Sequence, residues 1–292
     1  MRSMTLKRNL ALLLLLCGAG TAVAQSDFGI WTGVSAEKAI SKKISVEAGV
    51  EMRLEDNATQ PTRWDFSAGV GYKPWKFLKF GAGYTFIHDR SLEEAKAKYK
   101  TDDDDNLILH PITGQPQLTG YNVDHGFWRN KHRAYFDVTG KVAWGRFTFS
   151  LRERYLFTHY NEATCLRDKY RTPVQPGYTG ETYTYAGTEF ITYSPNDEED
   201  VKAAKNRHLL RSRVQVEYNI KGLPLNPYAS YEVTNELGDA LRYDKSRVVV
   251  GVDWKIRKKH VIGLGYLFQT GPDDDDGRGT LHAVKVDYKI KF

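Results

Sequence analysis

The sequence predicts an all-β protein, a transmembrane antiparallel β-barrel of 10–12 strands with short periplasmic turns and long extracellular loops. Apolar and polar residues alternate with a period of two along many segments, which places every second side chain on one face of a strand. The connections between these segments alternate between short and long. Aromatic residues gather at the segment ends, as they do in barrels that cross a membrane.

The N-terminus carries the marks of an export signal. Basic residues precede the short apolar run 10–16, and Ala22-Val23-Ala24 supplies the small-x-small ending that precedes a cleavage site. We therefore expect residues 1–24 to be a signal peptide and residues 25–292 to form a single outer-membrane β-barrel domain.

Composition argues against two other classes of protein. Mean hydropathy is −0.53 and the signal contains the one prominent apolar run, whereas a helical membrane protein needs runs of about 20 residues. Removing residues 1–24 leaves 39 basic and 36 acidic residues, a charge of +3 that gives no reason to expect nucleic acid as a partner. Cys165 then has no cysteine to pair with, and we expect it unpaired in a loop.

The alternating segments follow one another along the mature chain, and the first is the least regular. They span residues 28–40, 44–54, 64–72, 78–86, 134–144, 147–157, 210–220, 229–233, 248–256, 262–268 and 284–292. Single-chain bacterial barrels have an even number of strands. Segment 28–40 is therefore left open as an interior segment, an edge cap, or two strands with a break between them. Glu153 interrupts the apolar face of its segment and predicts a bulge.

The connections give the barrel its orientation. Residues 41–43, 73–76, 145–146, 221–224 and 257–259 predict tight periplasmic turns. The two longest connections, 89–130 and 161–206, predict extracellular loops. Tyr183, Tyr185, Phe190 and Tyr193 indicate that the second of these loops extends as a hairpin above the membrane.

The C-terminal strand ends in an aromatic residue. Strands in a bilayer leave no free edge, so this strand must close the barrel. Its Tyr288, Ile290 and Phe292 resemble the signal read by the barrel assembly machinery of the Gram-negative outer membrane. We expect that machinery, outer-membrane lipid and lipopolysaccharide as partners, and the cell outer membrane as the location. The strands of a soluble β-sandwich would show the same alternation. Such a protein would be extracted from cells without detergent, which distinguishes it from a membrane barrel.

Several loose motifs are similar to those of a family of uncharacterised Gram-negative outer-membrane barrels, domain of unknown function 2490. They are Phe28-Gly29-Ile30-Trp31, Lys42-Lys43-Ile44-Ser45 leading to Glu51-Met52-Arg53, residues 247–254, Lys259-His260 and Gly265-Tyr266. The resemblance covers most of the mature chain. It implies a barrel fold and an outer-membrane location, and it carries over no catalytic residue.

The polar face of the segments would line the lumen. A basic wall is predicted from the middle and late segments, and an acidic wall from the early ones. The basic wall comprises Arg133, Lys141, Arg152, Arg154, Arg211, Arg213 and Arg247, and the acidic wall comprises Glu47, Glu51 and Asp65. Such walls would impose a transverse field on a passing solute, and arginine forks suit carboxylate, sulfate or phosphate groups.

Two non-enzymatic functions remain open for a barrel of this width. It is intermediate between packed eight-stranded barrels and open sixteen-stranded channels. Inward charges either pair and plug the interior, which gives a structural surface protein, or line a narrow porin-like pore for small, possibly acidic solutes. Neither function requires a cofactor.

A hydrolase acting on lipid or peptide is the alternative. His88 would be its base. His88 shares parity with Phe86, however, which points it at lipid, and neither G-x-S-x-G nor H-E-x-x-H occurs. The acidic runs 102–105 and 273–276 lack the ligand spacing of an EF-hand, so we predict solvated loop tips and no metal site.

Overall fold

The computed structural model describes residues 27–238, 240–257, 259–271 and 279–292. The predicted signal peptide and the acidic run 273–276 lie outside these residues. The described part of the chain is all-β. It contains no helix long and apolar enough to cross a membrane.

Sixteen strands form, in chain order, within the residues that the structure describes. They are β1 Asp27–Ala39, β2 Ile44–Glu55, β3 Gln60–Trp75, β4 Leu78–Ser91, β5 Glu94–Tyr99, β6 Leu118–Asp124, β7 Phe127–Trp144, β8 Phe147–Tyr160, β9 Ala163–Pro173, β10 Tyr183–Tyr185, β11 Thr188–Lys202, β12 Lys205–Tyr218, β13 Leu225–Glu236, β14 Arg242–Ile256, β15 His260–Thr270 and β16 Leu281–Lys291.

Eleven of these strands close into a barrel, in the order β1-β2-β3-β4-β7-β8-β12-β13-β14-β15-β16 and back to β1. The prediction of an all-β barrel of 10–12 strands is confirmed. Each predicted segment corresponds to one of these eleven strands, although segments 28–40, 210–220 and 284–292 run one or two residues past the strand ends. The strands extend beyond the segments because backbone pairing continues where the alternation of side chains becomes less regular.

The first strand belongs to the barrel wall. It pairs antiparallel with β2 and parallel with β16, from Asp27 opposite Leu281 to Glu37 opposite Lys291. An antiparallel meander of eleven strands starts and ends in the same direction, so its closing pair must be parallel. The last strand is held on both sides, and the Phe292 N–H donates to the Glu37 carbonyl at 2.9 Å.

The two long loops do not remain irregular. Their segments form a second, five-stranded sheet in the order β10-β11-β9-β6-β5. The predicted hairpin is confirmed, since Tyr183 lies opposite Phe190 in the β10–β11 pair. We name this the outer sheet. Cys165 was expected in a loop but lies in β9, where it is free and only 3% exposed, because it packs within this sheet.

An aromatic cluster forms the core of the outer sheet. Phe190 is fully buried, and its ring lies 5.8 Å from Tyr121 and 5.9 Å from Tyr170. Tyr170 also stacks on Tyr185 and Tyr193, each at 4.8 Å. These rings come from β6, β9, β10 and β11, so they bind both long loops into one unit.

A band of exposed apolar side chains surrounds the barrel. It includes Val34, Val46, Val50, Phe66, Val70, Phe136, Val142, Phe149, Leu151, Val214, Val250, Leu264 and Val286. These residues keep the outward parity that the alternation predicted. Aromatic residues border the band, with Trp75, Trp144 and Trp254 at the short-turn end and Tyr84, Tyr155 and Tyr266 toward the long-loop end.

The predicted bulge at Glu153 is wrong. Residues of β8 pair with β7 and β12 without a register shift, so Glu153 keeps the outward parity of Leu151 and Tyr155. The Ser212 hydroxyl on β12 lies directly opposite and donates to the Glu153 carboxylate at 2.5 Å. This hydrogen bond lets a polar residue occupy the apolar face without breaking the strand.

Candidate functional site: an arginine-lined chamber

The barrel interior contains a polar cavity of about 680 Å³, which we name the chamber. Eight arginines and three lysines line it, against six carboxylates. Its lining includes nine of the ten residues predicted for the two walls. These are Arg133, Arg152, Arg154, Arg211, Arg213 and Arg247 of the basic wall and Glu47, Glu51 and Asp65 of the acidic wall.

A second cavity of about 360 Å³ continues the chamber toward the short-turn end. Lys141, the remaining residue of the predicted basic wall, lines this lower cavity. The two cavities share the residues between them, which are Glu47, Tyr135, Arg152, Arg154, Arg213, Gln215 and Lys289. The arginine-rich part of the wall is therefore accessible from both cavities.

Glycines and one tyrosine shape the boundary between the cavities. A Cβ atom on Gly69 or Gly83 would lie 2.5 Å from the Tyr135 hydroxyl. The ring of Tyr135 can lie across the lumen because β3 and β4 present no side chain at these positions. The Arg154 guanidinium lies over the same ring at 4.1 Å, an arrangement typical of cation–π contact.

One carboxylate stands at the centre of the arginines. Glu232 on β13 contacts Arg152 at 3.1 Å, Arg211 at 3.5 Å and Arg247 at 3.6 Å. Its side chain is 11% exposed. A single carboxylate therefore faces three guanidinium groups and leaves a local excess of positive charge.

Other arginines of the basic wall lack a carboxylate partner. Arg133 donates from Nε to the Thr158 hydroxyl at 3.0 Å and makes no salt bridge within the described residues. Arg213 makes neither a hydrogen bond nor a salt bridge to any residue that the structure describes. The Nε atoms of Arg152 and Arg211 have no hydrogen-bond partner, but they are buried, and both side chains already contact Glu232. Guanidinium donors of Arg133 and Arg213 thus remain available to a ligand.

The carboxylates of the acidic wall are already neutralised by basic residues on the same side of the barrel. Arg53 pairs with Glu51 at 2.6 Å, and Arg63 pairs with Asp65 at 2.7 Å. Glu47 pairs with Lys289 at 2.5 Å. Consequently the unbalanced charge of the chamber lies on the basic wall.

Sequence reasoning did not single out Arg53, Arg63 or Glu232. The signal was present, because all three share the inward parity of their strands. Arg53 follows Glu51 by two residues, and Arg63 precedes Asp65 by two, so each pair lies on one face of one strand. The contact between Glu232 and Arg152 joins β13 to β8 across the intervening β12 and required the barrel order.

The long-loop end of the lumen is filled by buried side chains, which we name the closing layer. Each barrel strand contributes at least one residue that is at most 8% exposed. The layer comprises Trp31, Glu55, Thr62, Ile87, Asp89, Lys131, Leu156, Thr158, Arg207, Leu209, Thr234, Asp244, Leu267, Gln269, Leu281 and Ala283. Trp31, Leu156 and Leu267 also line the chamber and form its ceiling.

Ion pairs hold four charged residues of the closing layer, Asp89, Lys131, Arg207 and Asp244. Lys131 Nζ contacts the Asp89 carboxylate at 2.6 Å. Arg207 bridges Glu236 and Asp244, with both contacts at 2.9 Å. Pairing of this kind makes burial of the charges tolerable. The chamber is therefore separated from the long-loop end by packed residues.

A cluster of potential metal ligands occurs in the outer sheet. Asp124, Cys165 and Asp200 bring their ligand atoms within 4.8 Å of one another. Arg167 contacts Asp124 at 2.5 Å and Asp200 at 2.6 Å, and Lys202 contacts the same carboxylates at 2.7 and 2.8 Å. Burial raises the pKa of the Cys165 thiol. Two protein cations therefore occupy the carboxylate oxygens, and the cluster is an ion-pair network.

His88, the base of the hydrolase alternative, lies on the outward side of β4. Its Nδ1 shares a 2.7 Å hydrogen bond with the Asn130 amide oxygen, and its ring stacks on Trp128 at 4.4 Å. No serine, threonine or cysteine among the described residues is hydrogen-bonded to it. The acidic run 102–105 is an exposed loop tip in which Asp102 accepts backbone N–H groups of Asp104 and Asn106.

The predicted assembly signal occupies the end of β16 and the residue after it. Tyr288 and Phe292 are exposed, and the Tyr288 hydroxyl lies 2.6 Å from His260 Nδ1 on β15. Ile290 lies opposite His260 in the β15–β16 pair and opposite Ala36 in the parallel pair with β1.

The model of the family described as "Protein of unknown function (DUF2490)" matches residues 28–279. The chain belongs to this family. The predicted resemblance is thereby confirmed. No curated protein matches the chain. One similar solved structure is the Salmonella typhi OmpF complex with daunomycin, at 11% identity over 82% of each chain with a TM-score of 0.21. A likeness at that score bears on neither fold nor function.

Proposed function

We propose that this protein is a non-enzymatic outer-membrane barrel of the structural surface type, which displays the outer sheet and is not a permanently open pore. The closing layer is the observation that carries this proposal. Side chains from all eleven strands fill one end of the lumen. A passive pore requires a continuous water-filled path, which such packing opposes.

Lipid around the barrel accounts for its exposed apolar band. Such a surface is far larger than soluble monomers usually expose. On β14, the exposed Tyr243 and Trp254 are about eleven residues apart. At about 3.3 Å per residue and a strand tilt of about 40°, that separation spans roughly 28 Å, close to the apolar thickness of a membrane.

Three similar clusters near the long-loop rim support a membrane boundary at that level. Each consists of a tyrosine and a phenylalanine on one strand and a histidine on the next. The clusters are Tyr84, Phe86 and His132; Tyr155, Phe157 and His208; and Tyr266, Phe268 and His282. Rings with a polar edge suit the interface between apolar chains and head groups. We expect these clusters to face the lipopolysaccharide leaflet.

Conductance of the purified protein in planar bilayers tests the closing layer. We expect no stable single-channel steps from the wild type. The double variant Leu156→Ala, Leu267→Ala shortens two ceiling residues and should produce steps, because it opens the chamber toward the outer sheet. The matched control is Leu151→Ala, Leu264→Ala, which shortens exposed leucines on the same two strands. Regular steps from the wild type would contradict the proposal.

A narrow anion-selective pore is the second candidate, and the unbalanced arginines favour it. In that case the wild type should conduct. Replacing Arg152, Arg154, Arg211 and Arg213 with glutamine should then reduce its preference for anions, because those side chains supply the positive wall. Turnover of phospholipid or lipid A that His88→Ala abolishes would instead support the hydrolase alternative.

A further inference from the structure

The basic wall of the chamber contains more cationic donors than the protein itself satisfies. Arg213 has no hydrogen-bond or salt-bridge partner within the described residues, and Arg133 contacts a hydroxyl but no carboxylate. Glu232 serves three arginines alone. Grouped guanidinium groups repel one another unless an anion lies between them. We propose that the chamber is a binding site for a small water-soluble phosphate ester, held by its phosphate group against the basic wall.

Charge and shape favour phosphate over a simple carboxylate. A phosphate monoester carries about −1.5 to −2 charges and three strong acceptor oxygens at neutral pH. It can therefore meet several guanidinium forks at once, which a single carboxylate cannot. Arg152 on β8 lies directly opposite Arg213 on β12, and Arg154 and Arg211 form the next inward-facing pair, so four guanidinium groups come from neighbouring positions of the wall.

The rest of the chamber suits the organic part of such an ester. Tyr135 and Tyr228 offer ring faces, and Ser67 and Ser230 offer hydroxyl groups. The volume of about 680 Å³ exceeds what phosphate alone would fill and falls within the range usual for small-molecule sites. We infer that a polar, sugar-sized group fits beside the phosphate.

The lower cavity gives the direction of entry. It shares Arg152, Arg154 and Arg213 with the chamber and continues toward the short turns, whereas the closing layer blocks the opposite end. Entry is therefore from the short-turn side. That this side is the periplasm rests on the proposed function, but binding itself does not.

Isothermal titration calorimetry of the detergent-solubilised protein tests the site, with glucose 6-phosphate as the probe. We expect saturable binding at one site per chain, with no response to glucose or to acetate at matched ionic strength. Arg213→Gln should weaken binding by about tenfold to a hundredfold, as expected when a charge-assisted hydrogen bond is lost. Arg146→Gln, in the turn between β7 and β8, is the matched control and should bind as the wild type does.

The unfolding temperature of the unliganded protein provides a second readout, which should change in the direction opposite to the change in affinity. Arg213 leaves no carboxylate unpaired when it is replaced, so the unliganded Arg213→Gln variant should unfold at an equal or higher temperature while binding less tightly. Glu232→Gln should do the reverse, because it removes the one shared counter-charge and frees donors for the probe. Loss of binding that only accompanies loss of stability would overturn the assignment.

Trp31 reports on the site in the wild type without any variant of the arginines. The Arg53 and Arg247 guanidinium groups lie 3.7 and 5.2 Å from its ring, and both line the chamber. Binding should shift tryptophan emission, and Trp31→Phe should remove that shift. No binding of the probe, equal binding of acetate, or a calorimetric signal with unchanged emission would each contradict the proposal. The binding experiments do not depend on the conductance experiment, so either conductance result leaves them able to confirm or contradict the site.

Discussion

At the scale of single residues, the position of a residue in the alternation predicted the direction of its side chain better than its residue type did. The inward positions of the arginines followed from alternation alone, since a period of two places them opposite the apolar set. Their partners did not follow, because contacts across a lumen join strands that are distant in sequence. Arg152 and Glu232 are separated by 80 positions and meet at 3.1 Å. No pattern within a short stretch of the sequence could therefore predict this contact.

Glu153 shows how one hydrogen bond decides whether an exception is tolerated. It lies in the apolar band between Leu151 and Tyr155, and Ser212 is its hydrogen-bond donor. Charged residues on the lipid face of a barrel cost free energy that depends on depth. The alternation correctly marked Glu153 as an exception. That Ser212 lies opposite it could not be predicted without the strand register.

We predict that Ser212→Ala lowers the free energy of unfolding by about 1–3 kcal/mol, because it leaves the Glu153 carboxylate without its donor in an apolar setting. Glu153→Leu should be neutral or stabilising. Urea unfolding in lipid vesicles measures both. In the double variant, the effect of Ser212→Ala should nearly disappear, and a full effect there would show that the hydrogen bond is not the cause.

At the scale of elements, the barrel strands were predictable and the outer sheet was not. Barrel strands alternate because one side meets an apolar surrounding and the other a polar lumen. The strands of the outer sheet pair mainly within the two long loops, and only the aromatic residues near β10 indicated structure there. The parallel pairing of β1 with β16 could not be predicted either, because the alternation of residues 28–40 does not specify a neighbour.

The outer sheet depends on the ion pairs around Asp124. Burial acts to raise the pKa of this carboxyl, but hydrogen bonds from Arg167 and Lys202 outweigh it and hold the pKa below its ordinary value of 3.8. The lowered pKa means that these pairs stabilise the sheet at neutral pH. Their contribution is lost as the pH falls through the lowered pKa.

We expect Asp124→Asn to make the outer sheet sensitive to protease at neutral pH, because two half-buried cations, Arg167 and Lys202, lose a shared partner. The wild type should become similarly sensitive only under strong acid, tested with an acid-active protease. Asp103→Asn, on the exposed tip between β5 and β6, is the control and should change neither result. In all cases the barrel should keep its resistance to SDS before heating, since the sheet lies outside it. Equal protease resistance of both variants would argue against the ion-pair network.

At the scale of the whole molecule, two surfaces of opposite character are formed by the same strands. Lipid is expected to cover the outer surface, whereas arginines, carboxylates and the closing layer occupy the inner one. The sequence predicted this division because each strand alternates. It could not predict that one end of the lumen is packed, because packing depends on strand order, tilt and the side chains that meet across the interior.

The division between the two surfaces can be measured with single-tryptophan variants in vesicles that contain lipids brominated on their acyl chains. Trp254 is 48% exposed in the outer aromatic border, and Trp31 is 3% exposed inside the closing layer. We predict strong quenching of a variant that retains only Trp254 and almost none of one that retains only Trp31. Equal quenching of the two, or no quenching of Trp254, would contradict a lipid-covered barrel with a closed interior.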